Sequence, residues 1–111
     1  MTLGNTQREF SRHILYLKMH MIAMGYEFTE GDSFRDSRVH GVWGKKTSYS
    51  HPESLHKIRL AVDINLFKDG VYLKETSDHK DFGDYWCALH PDNIWGGDFE
   101  KKDGNHYARN Q

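Results

Sequence analysis

Residues 54–67 read SLHKIRLAVDINLF, and the fold turns on how this stretch is read. Ile58, Leu60, Val62, Ile64 and Leu66 alternate with Arg59, Ala61, Asp63, Asn65 and Phe67. A period of two sends successive side chains to opposite faces of a sheet, so the stretch predicts a β-strand with an aliphatic inner face. Asp63 then stands mid-strand on the other face, beside small Ala61. Aspartate is disfavoured in strands, and a carboxylate taken partly out of water needs a compensating partner. An arginine or a metal ion would serve.

Outward from this strand the chain punctuates itself. Lys68-Asp69-Gly70 carries Asp-Gly turn chemistry before VYLKE, which predicts a β-hairpin. TSDHKDFGDYWCALHP opens with capping residues, puts Phe82, Trp86 and Leu89 on one face and stops at Pro91, predicting a helix over about residues 78–89. Upstream, Thr6-Gln7-Arg8-Glu9 has the spacing of a capping box. Phe10, Ile14, Leu17, Met21 and Met24 recur in steps of four and three, and Gly25 follows. That pattern predicts a helix over about residues 7–24 whose apolar stripe faces the core. YEFT is a candidate short strand, residues 30–53 read as a long loop, and the tail ends in a short extended segment. The expected fold class is α+β, a small antiparallel sheet with an N-terminal helix and a second helix between its strands.

Composition bounds the function. A chain of 111 residues is expected to form one domain, 1–111, around one core. Fifteen basic residues against 16 acidic, with no basic run, argue against a nucleic-acid partner. No window approaches the roughly 20 apolar residues of a membrane span, and the N-terminus has no secretion-signal pattern, so no membrane partner and a cytoplasmic origin are expected. The single cysteine, Cys87, excludes an internal disulfide framework and reads as a small buried hydrophobe.

Eight histidines are the suggestive count, because neutral imidazole is a common metal ligand. His56 lies where the chain enters the strand of Asp63. His106 lies in DGNHYA, three residues after Asp103. Two histidines and a carboxylate make a three-ligand set for zinc with a fourth position open. Asp103 stands where a proton-moving base could lean over such a site. Spacing alone also fits a satisfied polar pair on a strand with exposed tail residues. His13, His20, His51, His79 and His90 read as surface or helix-end residues.

These segments together resemble a known family. SLHKIRLAVD is similar to the Ser-x-His-x-x-Gly-x-Ala-x-Asp signature of zinc peptidases that include bacterial D-alanyl-D-alanine dipeptidases and carboxypeptidases and phage L-alanyl-D-glutamate endolysins. WGGDFEKKDGNHYA resembles the closing segment of the endolysin branch, Trp-Gly-Gly-x-Phe/Trp followed by Asp-x-x-His, and the resemblance extends over about residues 33–108. It implies the D-Ala-D-Ala peptidase (Hedgehog-like) fold, Zn2+ held by His56, Asp63 and His106, and Asp103 as catalytic acid/base. Ser54 matches the motif serine, implying a role in supporting the site or touching substrate. SFRDSRVH resembles the segment that supplies a substrate-binding or transition-state-stabilising guanidinium, here Arg35. Five residues on, where many relatives carry glutamine, stands His40. The motif glycine is replaced by Arg59.

The implied activity is zinc-dependent hydrolysis of a peptidoglycan stem peptide by a monomer, first at the L-Ala to D-Glu bond. It would belong to a phage lysis enzyme reaching the wall through a holin pore. A D,D-carboxypeptidase or dipeptidase on the same scaffold, and a silent zinc-containing wall-binding module, are the alternatives. Trp95 with Gly96 and Gly97 is expected to shape the cleft wall.

Overall fold

The computed structural model describes residues 2–33 and 54–111. Helix α1, Leu3–Ala23, starts four residues before the expected one. Its cap is Thr2, whose hydroxyl accepts the Asn5 N–H at 3.1 Å. Thr6, the expected cap, lies inside the first turns, and its hydroxyl donates to the Thr2 carbonyl at 3.1 Å. The other end is as expected. Gly25 takes φ +87°, the Gly25 N–H meets the Ile22 carbonyl and the Tyr26 N–H meets the Met21 carbonyl, each at 3.0 Å. This pair of bonds satisfies the last carbonyls and turns the chain away. Phe10, Ile14, Leu17 and Met21 are buried, whereas Met24, past the last turn, is exposed.

Strand β1, Glu27–Glu30, runs antiparallel to β2, Ala61–Lys68, with Glu30 opposite Ile64. The period-two stretch therefore supplies a strand only from Ala61 onward. Leu55–Ile58 forms a 3-10 turn instead, closed by Arg59 at φ 60°, ψ 35°. Asp69 and Gly70 both have positive φ, 52° and 77°, the requirement of a two-residue hairpin turn whose twist matches its strands. It leads into β3, Val71–Leu73. A 3-10 turn, Thr76–His79, opens into α2, Lys80–Leu89. Strands β4, Asn93–Trp95, and β5, His106–Arg109, complete the sheet.

Only β5 had a counterpart in the expected extended tail. β4 is three residues long, too short to show a period.

β2 is the central strand. β1 pairs with one edge, while β5 and β3 share the other, β5 along the start of β2 and β3 along its end; β4 pairs with β5. Both helices join Leu60, Ile64, Leu66 and Tyr107 in one buried cluster. Trp86 of α2 is its centre: the ring meets Phe10 edge-on at 5.6 Å, and its Nε1–H lies 3.0 Å from the Ile94 and Ala108 carbonyls. Cys87 is half-buried, and burial pushes its thiol pKa up. Among the described residues no helix is long and apolar enough to cross a membrane.

Candidate metal centre

Register places the first two site residues together. Asp63 of β2 lies directly opposite His106 of β5, and cross-strand partners on an antiparallel pair project to the same face with their Cβ atoms about 5 Å apart. His106 Nδ1 stands 3.1 Å from Asp63 Oδ1. An ionised carboxylate can only accept, so the bond is held by an Nδ1 proton that a metal ion would displace.

His56 arrives from the 3-10 turn before β2. The Ser54 hydroxyl caps that turn by accepting the His56 N–H at 3.3 Å. Arg59 closes it in the left-handed region, which reverses the chain into the strand. Glycine suits that conformation and a non-glycine residue bears about 1–2 kcal/mol of strain in it. The bend thus survives replacement of the motif glycine.

The His56 ring is 1% exposed, with Nδ1 2.8 Å from the Ser33 carbonyl and Nε2 3.5 Å from Asp63 Oδ1. The carbonyl has no proton to give, so Nδ1–H donates to it and fixes the tautomer. In neutral His56 the lone pair of Nε2 is then turned toward the carboxylate. Nε2 is fully buried and has no hydrogen-bond partner among the described residues. A buried nitrogen left orphaned costs about 1–3 kcal/mol, and a cation between it and the carboxylate would remove that cost.

Burial alone would raise the Asp63 pKa. The His106 hydrogen bond and the nearness of the two imidazoles outweigh it and hold the carboxyl at about 2. One ligand atom from each of the three residues falls within 4.8 Å of the others. Zinc–nitrogen and zinc–oxygen bonds near 2.0–2.1 Å place tetrahedral ligand atoms about 3.4 Å apart, and the measured 3.1 and 3.5 Å separations bracket that value. The imidazole/imidazole/carboxylate set, the spacing and the orphaned nitrogen all fit a zinc ion.

The turn carrying Asp103 is held against this centre by backbone. Asp103 N–H meets the Gly96 carbonyl at 2.9 Å, and His106 N–H meets the Asp103 carbonyl at 3.1 Å. A Cβ on Gly96 would stand 2.1 Å from the Asp103 carbonyl oxygen and 2.8 Å from the His106 Cβ, so glycine is what admits the turn. Trp95 Nε1–H donates to the Gly104 carbonyl at 2.7 Å, and the Gly104 Cα packs on Thr76. The Asp103 side chain is exposed. Phe99 is also exposed, with its ring centre 5.5 Å from that of His106.

Several expectations change here. Trp95 is buried, its indole lying over Gly83 and Gly97, so it anchors the Asp103 turn rather than lining a cleft. His79 stands at a helix end, as the N-cap of α2, but is buried there, and His13 is a core residue of α1 rather than a surface one. His79 Nδ1 is 2.9 Å from the Tyr107 hydroxyl, and burial lowers the pKa of both histidines. The Ser33 carbonyl was not anticipated, since backbone acceptors carry no residue-type signal. Arg35 and His40 lie outside the described residues.

With this geometry in view, solved structures provide a likeness. The crystal structure of the Serratia marcescens L-Ala D-Glu endopeptidase ChiX superposes with a TM-score of 0.59 at 18% identity, covering 93% of this chain and 79% of that one. The two chains share a fold. No protein-family model matches the sequence. No curated protein matches it. The endopeptidase-like fold therefore rests on shape, and the α+β architecture expected from the sequence agrees with it.

Proposed function

We propose that this chain is a zinc-dependent hydrolase of peptidoglycan stem peptides that cleaves the L-Ala to D-Glu bond. The observation that carries the reading is the buried, partnerless His56 Nε2 facing Asp63 beside His106, within the fold of an L-Ala D-Glu endopeptidase. Among the described residues His13 Nδ1, Asn93 Oδ1 and Arg109 Nε are buried without a partner as well, so the weight falls on Nε2 facing Asp63 and His106 at ligand spacing.

In this reading His56, Asp63 and His106 hold the ion, and the Ser33 carbonyl keeps the His56 ring in the metal-binding tautomer. Zinc, when bound, supplies Lewis acidity and activates water near neutral pH. Asp103 takes a proton from the attacking water and delivers it to the leaving amine; the short turn to His106 ties it to the site. Arg35 offers a guanidinium to the developing oxyanion or to a substrate carboxylate, Ser54 supports the His56 turn, and His40 touches substrate. The substrate places the site of action at the cell wall.

Asp103→Asn tests the assignment. The account expects one zinc per chain to be retained and stem-peptide hydrolysis to be lost. Unchanged hydrolysis would remove Asp103 from the reaction, and a wild-type chain that binds zinc but releases nothing would make this a binding module.

A further inference from the structure

A row of short polar side chains runs across the sheet beside the metal centre. Asn65 lies two residues after Asp63 in β2, so both side chains project to the same face. Thr29 of β1 pairs with Asn65, as His106 of β5 pairs with Asp63. Asn105, one residue before His106, joins the row from the turn: its Nδ2–H donates to Asn65 Oδ1 at 3.3 Å, and Asn65 Nδ2–H donates to Thr29 Oγ1 at 3.4 Å.

Asparagine is depleted in strands, as aspartate is. The metal centre accounts for Asp63; Asn65 needs a reason of its own. Holding the sheet together is a weak one, because both bonds are longer than the common N–H···O distance of about 2.9–3.0 Å. Each carboxamide has two N–H groups and two lone pairs. The row uses one of each on Asn65 and one N–H on Asn105, which leaves both amides with a donor and an acceptor to spare. Both side chains are half-buried, within reach of a ligand on that face.

The ground beside the row is open. Gly31 follows β1 and lies against Asp63, with its N–H 2.9 Å from the Asp63 carbonyl. A Cβ there would stand 3.2 Å from the Asp63 Cβ and 3.7 Å from Asn65 Nδ2, yet Gly31 itself is exposed. Glycine at such a strand position lets another backbone approach closely.

A carboxamide presents a donor and an acceptor side by side, the complement of a peptide group, and has no charge with which to select a carboxylate. Along β2, Asn65 stands about 7 Å beyond Asp63, the length of two residues of extended chain. A peptide extended over this face with its cleaved carbonyl at Asp63 and His106 would bring a second amide to Asn65 and Asn105. Asn65 lies outside the signature segments, and Asn105 fills an unspecified position of Asp-x-x-His.

We propose that Asn65 and Asn105 form a subsite that hydrogen-bonds a peptide group of the stem peptide about two residues from the cleaved bond. The subsite rests on the proposed function for its ligand and adds residues that position it.

The test is calorimetric titration of a synthetic stem peptide into the full, zinc-loaded chain carrying Asp103→Asn, which should bind without cleaving. In that background Asn65→Val removes the hydrogen-bonding groups, whereas Asn65→Thr keeps a donor and an acceptor in a side chain of nearly the same shape; both suit a strand. Asn65→Val should weaken binding about three- to tenfold, the loss expected of a neutral hydrogen bond, and Asn65→Thr should restore it in part. Asn105→Ala should weaken it to a similar extent. With Asp103 intact, Asn65→Val should raise KM by the same factor with kcat near wild type. Circular dichroism and zinc content report on the fold and the metal centre. Equal affinity of the Val variant, the Thr variant and their parent would overturn the subsite, as would a loss that follows zinc content. Discrimination between Val and Thr in a chain that never cleaves the peptide would keep the subsite and remove the hydrolase; cleavage with wild-type KM in Asn65→Val would do the reverse.

Discussion

Replacing Gly96 by alanine is the sharpest structural probe of the site, because it adds one carbon where the Gly96 backbone meets the turn that carries Asp103 and His106. The new Cβ would stand 2.1 Å from the Asp103 carbonyl oxygen. An ordinary contact is about 3.5 Å, so the Asp103 turn must retreat by about 1.4 Å. The obstacle is backbone, and no side-chain rotation relieves it. Two hydrogen bonds depend on that approach, Asp103 N–H to the Gly96 carbonyl at 2.9 Å and His106 N–H to the Asp103 carbonyl at 3.1 Å. Overpacking costs about 1–3 kcal/mol and each of the two weakened hydrogen bonds about 1 kcal/mol, giving a destabilisation of about 3–5 kcal/mol.

Function should suffer more than stability. A displacement of about 1 Å in a reacting group costs on the order of 100-fold in rate, and both Asp103 and His106 ride on this turn. The assays are urea unfolding, zinc stoichiometry and release of stem peptides from purified sacculi. Gly4→Ala, in α1 and without a close contact, serves as the control and should be neutral or slightly stabilising. A Gly96→Ala protein with wild-type stability and wild-type turnover would refute the packing of the Asp103 turn on residue 96.

Other outcomes follow from single residues. Arg59→Gly should stabilise the fold by about 1 kcal/mol, read as a raised urea midpoint, because Arg59 sits at φ 60° where glycine is unstrained. His56→Gln should lower zinc affinity, measured by calorimetric titration, by more than the roughly 10–100-fold that an outer-shell change costs. His79 gives a pH dependence. Burial holds its pKa below the ordinary 6.5, so as pH falls past 6.5 the unfolded chain takes up a proton that the folded one resists. Its contribution is therefore fully present above about pH 6.5 and declines below it. His79→Gln, which can still hydrogen-bond Tyr107, should flatten the fall in unfolding free energy between pH 7.5 and 5.5.

The parts of the fold legible in the sequence were those set by local chemistry. The period of two gave β2 its faces, Asp69-Gly70 its turn and Gly25 the end of α1, because each depends on φ preference or side-chain direction within a few residues. The start of α1 was misplaced because Thr6-x-x-Glu9 mimics a capping box, while Thr2 caps equally well and leaves Thr6 and Phe10 to be buried. Ile58 reads as part of the strand because its hydrophobicity fits both the alternation and the last position of the 3-10 turn, where it lies.

At the site, the three candidate ligands were readable from residue type and family likeness, and the register of Asp63 with His106 brings them together. What holds them was not readable. The Ser33 carbonyl behind His56, the bare face of Gly96 under Asp103 and the Trp95 bond to Gly104 are long-range backbone contacts, and no local pattern encodes them.

The central claim, metal-dependent cleavage of a stem peptide, is tested most directly by mass spectrometry of peptides released from purified sacculi by the purified chain, with zinc and with a chelator. The account predicts release with zinc of peptides bearing a new N-terminal D-Glu, and none with the chelator. Release of free D-Ala would move the cleaved bond to the other end of the stem peptide, and release that persists in the chelator would contradict the metal centre itself.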